Sequence, residues 1–184
     1  MINGQRIRLR ALERGDLPFF VEWLNDPDVS EGLSISLPIS HYAEESWFEK
    51  TMQAPAEEQP LVIEVKKDEQ WQAIGDISLR DINWRNRSAE LGIAIGDKRY
   101  WNQGYGTEGV NLFLQHCFDT LNLERVSLRV FENNLRAIRV YQKCGFVKEG
   151  ILRKAEYHHG KYIDVIIMAI LKSEWDLRKM ENHE

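Results

Sequence analysis

Residues Tyr100 to Gly109 read Tyr-Trp-Asn-Gln-Gly-Tyr-Gly-Thr-Glu-Gly, directly after a strand-like stretch and at the start of a helical one. The first N–H groups of a helix have no intrahelical partners and carry partial positive charge. Glycine adds to this because it lets the backbone approach a phosphate closely. The segment therefore predicts a turn that holds an anion such as a pyrophosphate. On this segment alone, an ordinary strand-to-helix turn is an equal alternative.

Two common nucleotide-binding patterns do not fit this turn. A P-loop requires Gly-Lys-Ser/Thr, which the segment lacks. The spacing GxGxxG occurs at Gly104, Gly106 and Gly109. A dinucleotide-binding loop, however, belongs to a βαβ unit, and the strands predicted before this turn form an antiparallel meander.

A second segment, residues 133–146, reads Asn-Asn-Leu-Arg-Ala-Ile-Arg-Val-Tyr-Gln-Lys-Cys-Gly-Phe. It follows a predicted strand, begins with capping residues and ends in a glycine before a strand aromatic. With the glycine turn, its order N-x-R-A-x-x-x-Y-x-K-x-G-F closely resembles the GNAT superfamily of N-acetyltransferases. Outside this region, Arg8–Asp16 and the segment from Gly160–Asp164 to Glu174-Trp175 look like the branch that holds ribosomal-protein N-terminal acetyltransferases and spermidine acetyltransferases.

Size and composition set broad limits. A chain of 184 residues, 43% hydrophobic and 29% charged, is typical of one globular domain. We therefore expect residues 1–184 to form a single domain, which the resemblance implies to be an N-acetyltransferase domain. The net charge of −5 argues against nucleic-acid binding. Because no signal peptide or membrane span is visible, we expect a cytoplasmic protein that does not associate with membranes. Cys117 and Cys144 lack ligand spacing, which predicts buried thiols and no metal site.

Hydrophobic periodicity predicts an α/β (α+β) fold with a mixed, mostly antiparallel sheet of about seven strands flanked by helices. The resemblance implies that this sheet is splayed between its fourth and fifth strands. The predicted strands are Arg6–Leu12, Leu61–Lys67, Ala73–Asp81, Ser88–Ile95, Arg125–Phe131, Phe146–Glu149 and Ile163–Leu171. The predicted helices begin after an Asp16 cap, after a Ser40 cap and after the glycine turn, and a fourth runs from about Leu135 to Lys143. Lys172–Glu184 is expected to fray as a polar terminal helix.

The resemblance also implies acetyl-CoA as co-substrate, with its pantetheine arm along the edge of one strand and its pyrophosphate on the glycine turn. The strand contacts would come from Ile93, Ala94 and Ile95. The turn contacts would come from Trp101, Asn102, Gln103, Gly104, Tyr105, Gly106 and Thr107. The chain has Trp101 where the family often has Gln or Arg, and Asn102 where glycine is frequent. Asn134 and Arg136 would also contact the cofactor, and Asn134 is equally suited to be a helix N-cap.

Tyr141 matches the family tyrosine that lies beside the cofactor sulfur, contacts the cofactor and protonates the departing thiolate. A phenol with a pKa of about 10 is protonated at neutral pH and can donate this proton. Tyr141 also shares a helical face with Ala137 and Cys144, so a plain core tyrosine is the alternative.

The attacking amine needs a proton acceptor, because an ammonium with a pKa of about 10 is charged at neutral pH. Glu90 and Asp76, on neighbouring predicted strands, are the candidate bases. Either carboxylate could instead be a surface residue or bind a cationic substrate electrostatically.

The expected function is acetyl transfer to a primary amine by direct attack in a ternary complex, without a covalent enzyme intermediate. The acceptor could be a protein or peptide N-terminus, a polyamine or another small amine. Asp28, Glu31, Glu44 and Glu45 could attract a polycation near the loop Asp28–Ile39. A non-catalytic acyl-CoA-binding regulatory module is the alternative, and the resemblance makes a homodimer or larger homo-oligomer plausible.

Overall fold

The computed structural model describes residues 1–35 and 38–181, which form a mixed α/β fold with one open sheet of eight strands flanked by helices. The strands are β1 Ile2–Asn3, β2 Ile7–Ala11, β3 Leu61–Lys67, β4 Gln70–Asn83, β5 Ser88–Ile95, β6 Arg125–Phe131, β7 Val147–His158 and β8 Lys161–Leu171. The α-helices are α1 Leu17–Leu24, α2 Pro27–Ser30, α3 His41–Thr51, α4 Tyr105–Gln115, α5 Leu135–Lys143 and α6 Lys172–Glu181.

The sheet has the strand order β1-β2-β3-β4-β5-β6-β8-β7. Strands β1 to β4 pair antiparallel in succession, as do β6 with β8 and β8 with β7. Strands β5 and β6 are parallel and pair from Ser88–Arg125 to Glu90–Ser127. The expected mixed, mostly antiparallel sheet is confirmed, and the strand beyond the expected seven is the two-residue β1. The pairing of β5 with β6 ends at Glu90, before Leu91–Ile95. The family resemblance implies that this last stretch of β5 splays away from the neighbouring strand.

The chain folds into two compact units, and strands β4 and β5 contribute to both. The first comprises Met1–Leu79 and Gly92–Gly109, and the second Arg80–Leu91 and Val110–Glu184. In the first unit a buried cluster contains Leu12, Leu17, Phe20, Phe48 and Val62. In the second unit a buried cluster contains Phe131, Ile163 and Val165. The expectation of a single domain stays a prediction.

Helix capping agrees with the sequence at one predicted cap and differs at another. The Ser40 side chain accepts a hydrogen bond from the Ala43 N–H at 3.0 Å and begins α3 as predicted. Asp16 occupies the N-cap position of α1 as predicted, but the prediction that its side chain caps the helix is wrong, because this side chain makes no cap bond there. Both Asp16 carboxylate oxygens instead accept from Arg10, each at 2.7 Å. A bidentate charge-assisted pair is stronger than a neutral cap bond, so Arg10 takes this carboxylate.

The C-terminal helix also differs from expectation. Trp175 of α6 is 7% exposed, and its ring centroid lies 6.0 Å from that of Phe118. Lys179 binds Asp119 at 2.6 Å. The prediction of a frayed polar helix is therefore wrong for Lys172–Glu181, and residues 182–184 lie outside the described part of the chain.

The two cysteines are buried and outside any disulfide, as predicted, and burial raises the pKa of each thiol to about 12. None of the helices within residues 1–35 and 38–181 is long and apolar enough to cross a membrane.

Candidate active site

The glycine turn leads from β5 into α4 through two residues with left-handed backbone. Gly104 has φ +85° and Asn102 has φ +59°. Asparagine is one of the few residues other than glycine that tolerate this conformation. Asn102 therefore preserves the backbone that a glycine would give at this position of the family pattern.

The start of α4 presents backbone amides at an accessible turn. The Glu108 N–H donates to the Gly104 carbonyl at 3.0 Å, so the amides of Tyr105 and Gly106 come before this helical bond. Residues 102–104 are exposed, and Tyr105 and Gly106 are half-buried. The helix dipole adds partial positive charge at this end, which makes the turn suitable for a phosphate.

Arg6 neutralises the one acidic side chain in the first turn of α4. Its Nε donates to Glu108 Oε2 at 2.8 Å, and its backbone N–H donates to Oε1 at 2.7 Å. Arg6 Nη1 also donates to the Gln103 carbonyl at 3.1 Å, and the guanidinium lies 4.5 Å from the centre of the Tyr105 ring. Arg6 thus holds the turn and removes a charge that would repel an anion. Sequence reasoning missed it, and Glu108 in the predicted first turn was the available signal.

Trp101 fixes the other end of the turn to β5. Its indole Nε1 donates to the Ile95 carbonyl at 2.6 Å. This carbonyl is therefore already engaged, and a pantetheine arm would have to use other backbone groups near Ile93 and Ala94. All three of these β5 residues are half-buried. Gly75 of β4 approaches this stretch so closely that a Cβ there would lie 2.0 Å from the Ala94 oxygen.

Asp76 is the candidate base with a shifted pKa. It is half-buried on β4, cross-strand from Val62. Burial raises its pKa to about 7, and the Glu44 carboxylate adds to the rise. A carboxylate that titrates near neutral pH is suited to accept a proton from a bound amine.

Glu90, the other candidate base, is committed to two arginines. Its Oε1 lies 2.9 Å from Arg80 Nη2 and its Oε2 lies 3.3 Å from Arg129 Nε. Both oxygens therefore have cationic partners, which makes Glu90 less suited to proton removal than Asp76.

Tyr141 lies on α5 and is 7% exposed, with its ring edge-on to Phe146 at 5.8 Å between centroids. Burial raises its pKa to about 12, and Cys144 adds to the rise. The phenol is thus fully protonated at neutral pH. None of the described residues hydrogen-bonds to its hydroxyl. The burial also fits the alternative of a core tyrosine, so the role of Tyr141 as the acid stays a prediction.

The other predicted cofactor contacts of the second unit are Asn134 and Arg136. Asn134 caps α5, because its Oδ1 accepts from the Ala137 N–H at 3.1 Å. Arg136 is exposed in the first turn of the same helix. The cap role is therefore observed, and the contacts of both side chains with the cofactor stay predictions.

The family follows from comparison with known proteins. A sequence model described as acetyltransferase (GNAT) domain matches residues 6–147, which is more than half of the chain. The chain belongs to the GNAT acetyltransferase family. It is therefore an acetyl-CoA-dependent N-acetyltransferase.

Relatives of this acetyltransferase fall in the branch expected from the sequence. Spermidine N(1)-acetyltransferase of Vibrio cholerae is 34% identical over 175 residues, which cover 95% of this chain and 97% of the relative. YdaF of Bacillus subtilis, named as a candidate ribosomal N-acetyltransferase, is 31% identical over 105 residues, 57% of each protein.

Solved structures agree with the sequence relatives. The complex of the Vibrio cholerae spermidine N-acetyltransferase with CoA and spermine has a TM-score of 0.84 at 33% identity, covering 92% of this acetyltransferase and 98% of that chain. A dodecameric structure of spermidine N-acetyltransferase from the same organism has a TM-score of 0.78 at 33% identity, covering 94% and 98%.

The acidic residues expected to attract a polycation differ in their surroundings within this acetyltransferase. Asp28 binds Lys98 at 2.7 Å, and Glu45 binds Arg14. Glu44 is 4% exposed, and no described residue forms an ion pair with it. Ser36 and Leu37 of the predicted substrate loop lie outside the described residues. All of these acidic residues belong to the first unit, which also contains the glycine turn and Asp76.

Proposed function

We propose that the chain transfers the acetyl group of acetyl-CoA to a small primary amine by direct attack in a ternary complex. The observation that carries the proposal is the turn before α4, where Gly104 has left-handed backbone and Arg6 neutralises Glu108, so that the first amides of the helix are suited to an anion. The substrate named for the Vibrio cholerae relative, spermidine, supports a polyamine-like acceptor. A protein or peptide N-terminus is the competing acceptor.

In this proposal the cofactor's pyrophosphate lies on the backbone of residues 103–107, with the pantetheine arm along β5 near Ile93 and Ala94. Amide donors at a helix start bind phosphate oxygens without a positive side chain. The related Vibrio cholerae structure is a complex with CoA, which supports CoA as the ligand of this chain. Asn134 and Arg136 add contacts from α5.

The chemistry needs one proton acceptor and one proton donor. Asp76 takes a proton from the bound ammonium, because its pKa of about 7 lets it be ionised at neutral pH and still be basic enough. The amine nitrogen then attacks the thioester carbonyl and the carbon–sulfur bond breaks. Tyr141, with a pKa of about 12, gives its proton to the departing thiolate. Each such proton transfer typically contributes about 10²–10⁴-fold to the rate.

We also propose that the chain assembles into a homo-oligomer. The dodecamer of the related spermidine N-acetyltransferase supports this proposal. Light scattering coupled to gel filtration measures the mass directly, and a monomer at all protein concentrations would contradict it.

The decisive experiment measures release of CoA thiol with spermidine, putrescine and short peptides as acceptors, for the wild type and Tyr141→Phe. We expect kcat with amines to fall at least about 100-fold in the variant, since the acid is lost. CoA affinity by calorimetry should be unchanged. Tyr157→Phe, which alters an exposed tyrosine, is the matched control.

Three outcomes would argue against parts of the proposal. Equal turnover in Tyr141→Phe would remove this residue as the acid. Turnover with peptides and none with polyamines would assign the acceptor to protein N-termini. Tight CoA binding with no turnover on any amine would favour a non-catalytic binding module.

A further inference from the structure

Two carboxylates face the same interface between α3 and the sheet. Glu44 and Phe48 are one helical turn apart on α3, so they lie on one face of this helix. Phe48 packs in the buried cluster that contains Val62 of β3. Val62 is the cross-strand partner of Asp76, and paired residues lie on the same face of a sheet. Glu44 and Asp76 therefore point into one space within the first unit.

Neighbouring cations are already engaged. Arg10 is the partner of Val62 on its other side, but its guanidinium binds Asp16 at 2.7 Å and Glu64 at 2.8 Å.

Arg14 forms ion pairs with two other carboxylates of α3, those of half-buried Glu45 and exposed Glu49. Within residues 1–35 and 38–181, neither Glu44 nor Asp76 has an ion-pair partner. A buried carboxylate without a partner is costly and favours its protonated form. In agreement, burial raises the pKa of both groups.

We propose that Glu44 and Asp76 form a binding site for one primary ammonium group, which replaces a proton that the pair holds when the site is empty. The proposal rests on the proposed function, since this ammonium is the end of the acceptor that reacts. A primary ammonium is a compact cation with three donors, so it can serve both carboxylates at once. Neutral alcohols lack the charge, and quaternary ammonium ions lack the N–H donors.

Binding of the ammonium displaces one proton from the pair of carboxyl groups. The empty site carries one carboxylic acid and one carboxylate. Binding of R–NH₃⁺ converts the acid to a second carboxylate, and one proton leaves to solvent. Asp76 can later accept a proton from this ammonium to generate the neutral amine, which restores the acid form.

The test is calorimetric titration of the full chain with putrescine, with and without CoA, in buffers of different ionisation enthalpy. We expect close to one proton released per site at about pH 6 and about half a proton at about pH 7, falling towards none above about pH 8.5, where the pair is already ionised. The neutral analogue 1,4-butanediol should not bind. No acetyl transfer occurs in this experiment, so its outcome is separable from that of the proposed function.

Variants give the second part of the test. Asp76→Asn and Glu44→Gln should each weaken putrescine binding by about tenfold or more, and Asp76→Asn should abolish proton release. Glu45→Gln, on the same helix but bound to Arg14, is the matched control and should bind as the wild type does. Circular dichroism checks the fold of each variant, and proton release by the wild type stands as a test if a variant does not fold.

Three results would overturn the proposal: no putrescine binding with or without CoA, binding without proton release near pH 6.5, or unchanged binding in both folded carboxylate variants. Loss of acetyl transfer with retained putrescine binding would instead contradict only the proposed function.

Discussion

Asp76→Asn should change how the stability of the protein depends on pH. Burial raises the pKa of Asp76 from 3.8 to about 7. Below about pH 3.8, the pKa of Asp76 in the unfolded chain, the carboxyl is protonated in both the folded and the unfolded state. It then takes nothing from the free energy of unfolding. Between about pH 4 and 7 the unfolded chain ionises first, so the wild type loses stability as the pH rises. Above the folded pKa both states are ionised and the loss is complete.

The size of the effect follows from the shift. Three pKa units at about 1.4 kcal/mol each give roughly 4 kcal/mol as an upper limit. Asp76 is half-buried rather than enclosed, and water that reaches its carboxylate stabilises part of the charge. We therefore expect the free energy of unfolding of the wild type to fall by about 2 kcal/mol as Asp76 ionises, which is roughly half of the upper limit.

Urea unfolding at about pH 4.5 and about pH 8 measures this difference for the wild type and the variant. From about pH 4.5 to about pH 8, the free energy of unfolding of Asp76→Asn should rise by about 2 kcal/mol relative to that of the wild type. Asp97→Asn is the control, because hydrogen bonds from Arg99 lower the pKa of Asp97 below 3.8 and its contribution to stability is therefore already complete at about pH 4.5. That variant should differ from the wild type by the same amount at both pH values. If Asp76→Asn parallels the wild type at both pH values, Asp76 does not carry the shifted pKa on which its role as base depends.

Three further predictions concern the turn and the second carboxylate. Gly104→Ala puts a side chain at φ +85° and 3.3 Å from Arg6 Nη2, so the Kd of CoA by calorimetry should rise roughly tenfold; an unchanged Kd would contradict the assignment of the turn. Trp101→Phe removes the 2.6 Å bond to Ile95 and should lower the free energy of unfolding by about 1 kcal/mol in urea; no change would mean that this bond does not hold the turn. Glu90→Gln should keep kcat within about threefold, since Arg80 and Arg129 already occupy its carboxylate; a loss of about 100-fold would make Glu90 the base.

Local patterns determined the elements that sequence reasoning found. The bounds predicted for Leu61–Lys67, Ser88–Ile95, Arg125–Phe131 and the helix Leu135–Lys143 are those of the structure. Each of these strands has a clear apolar pattern and a polar turn beside it, and the helix has Asn134 as its cap. The glycine turn was also visible, because glycines and a helix start are both local signals.

Long-range pairs were not predictable in the same way. Arg6 and Glu108 are 102 residues apart, and only the folded first unit brings them together. Glu44 looks like an exposed acid in the sequence of α3, but the packing of Phe48 turns it inward. Asp16 is a residue type that often caps helices, but in the folded protein its carboxylate binds Arg10 instead, although the two residues are close in sequence. In each case an ion pair or a burial set by tertiary structure overrides a local preference.

The central claim is that the amides at the start of α4 bind the diphosphate of CoA. Titration of ¹⁵N-labelled protein with CoA, followed by amide NMR, observes these groups one by one. If these amides bind the diphosphate, the Gly104, Tyr105 and Gly106 resonances will show saturable shifts that give one common Kd. Saturable CoA binding that leaves these three resonances unmoved, or no binding at all, would contradict it.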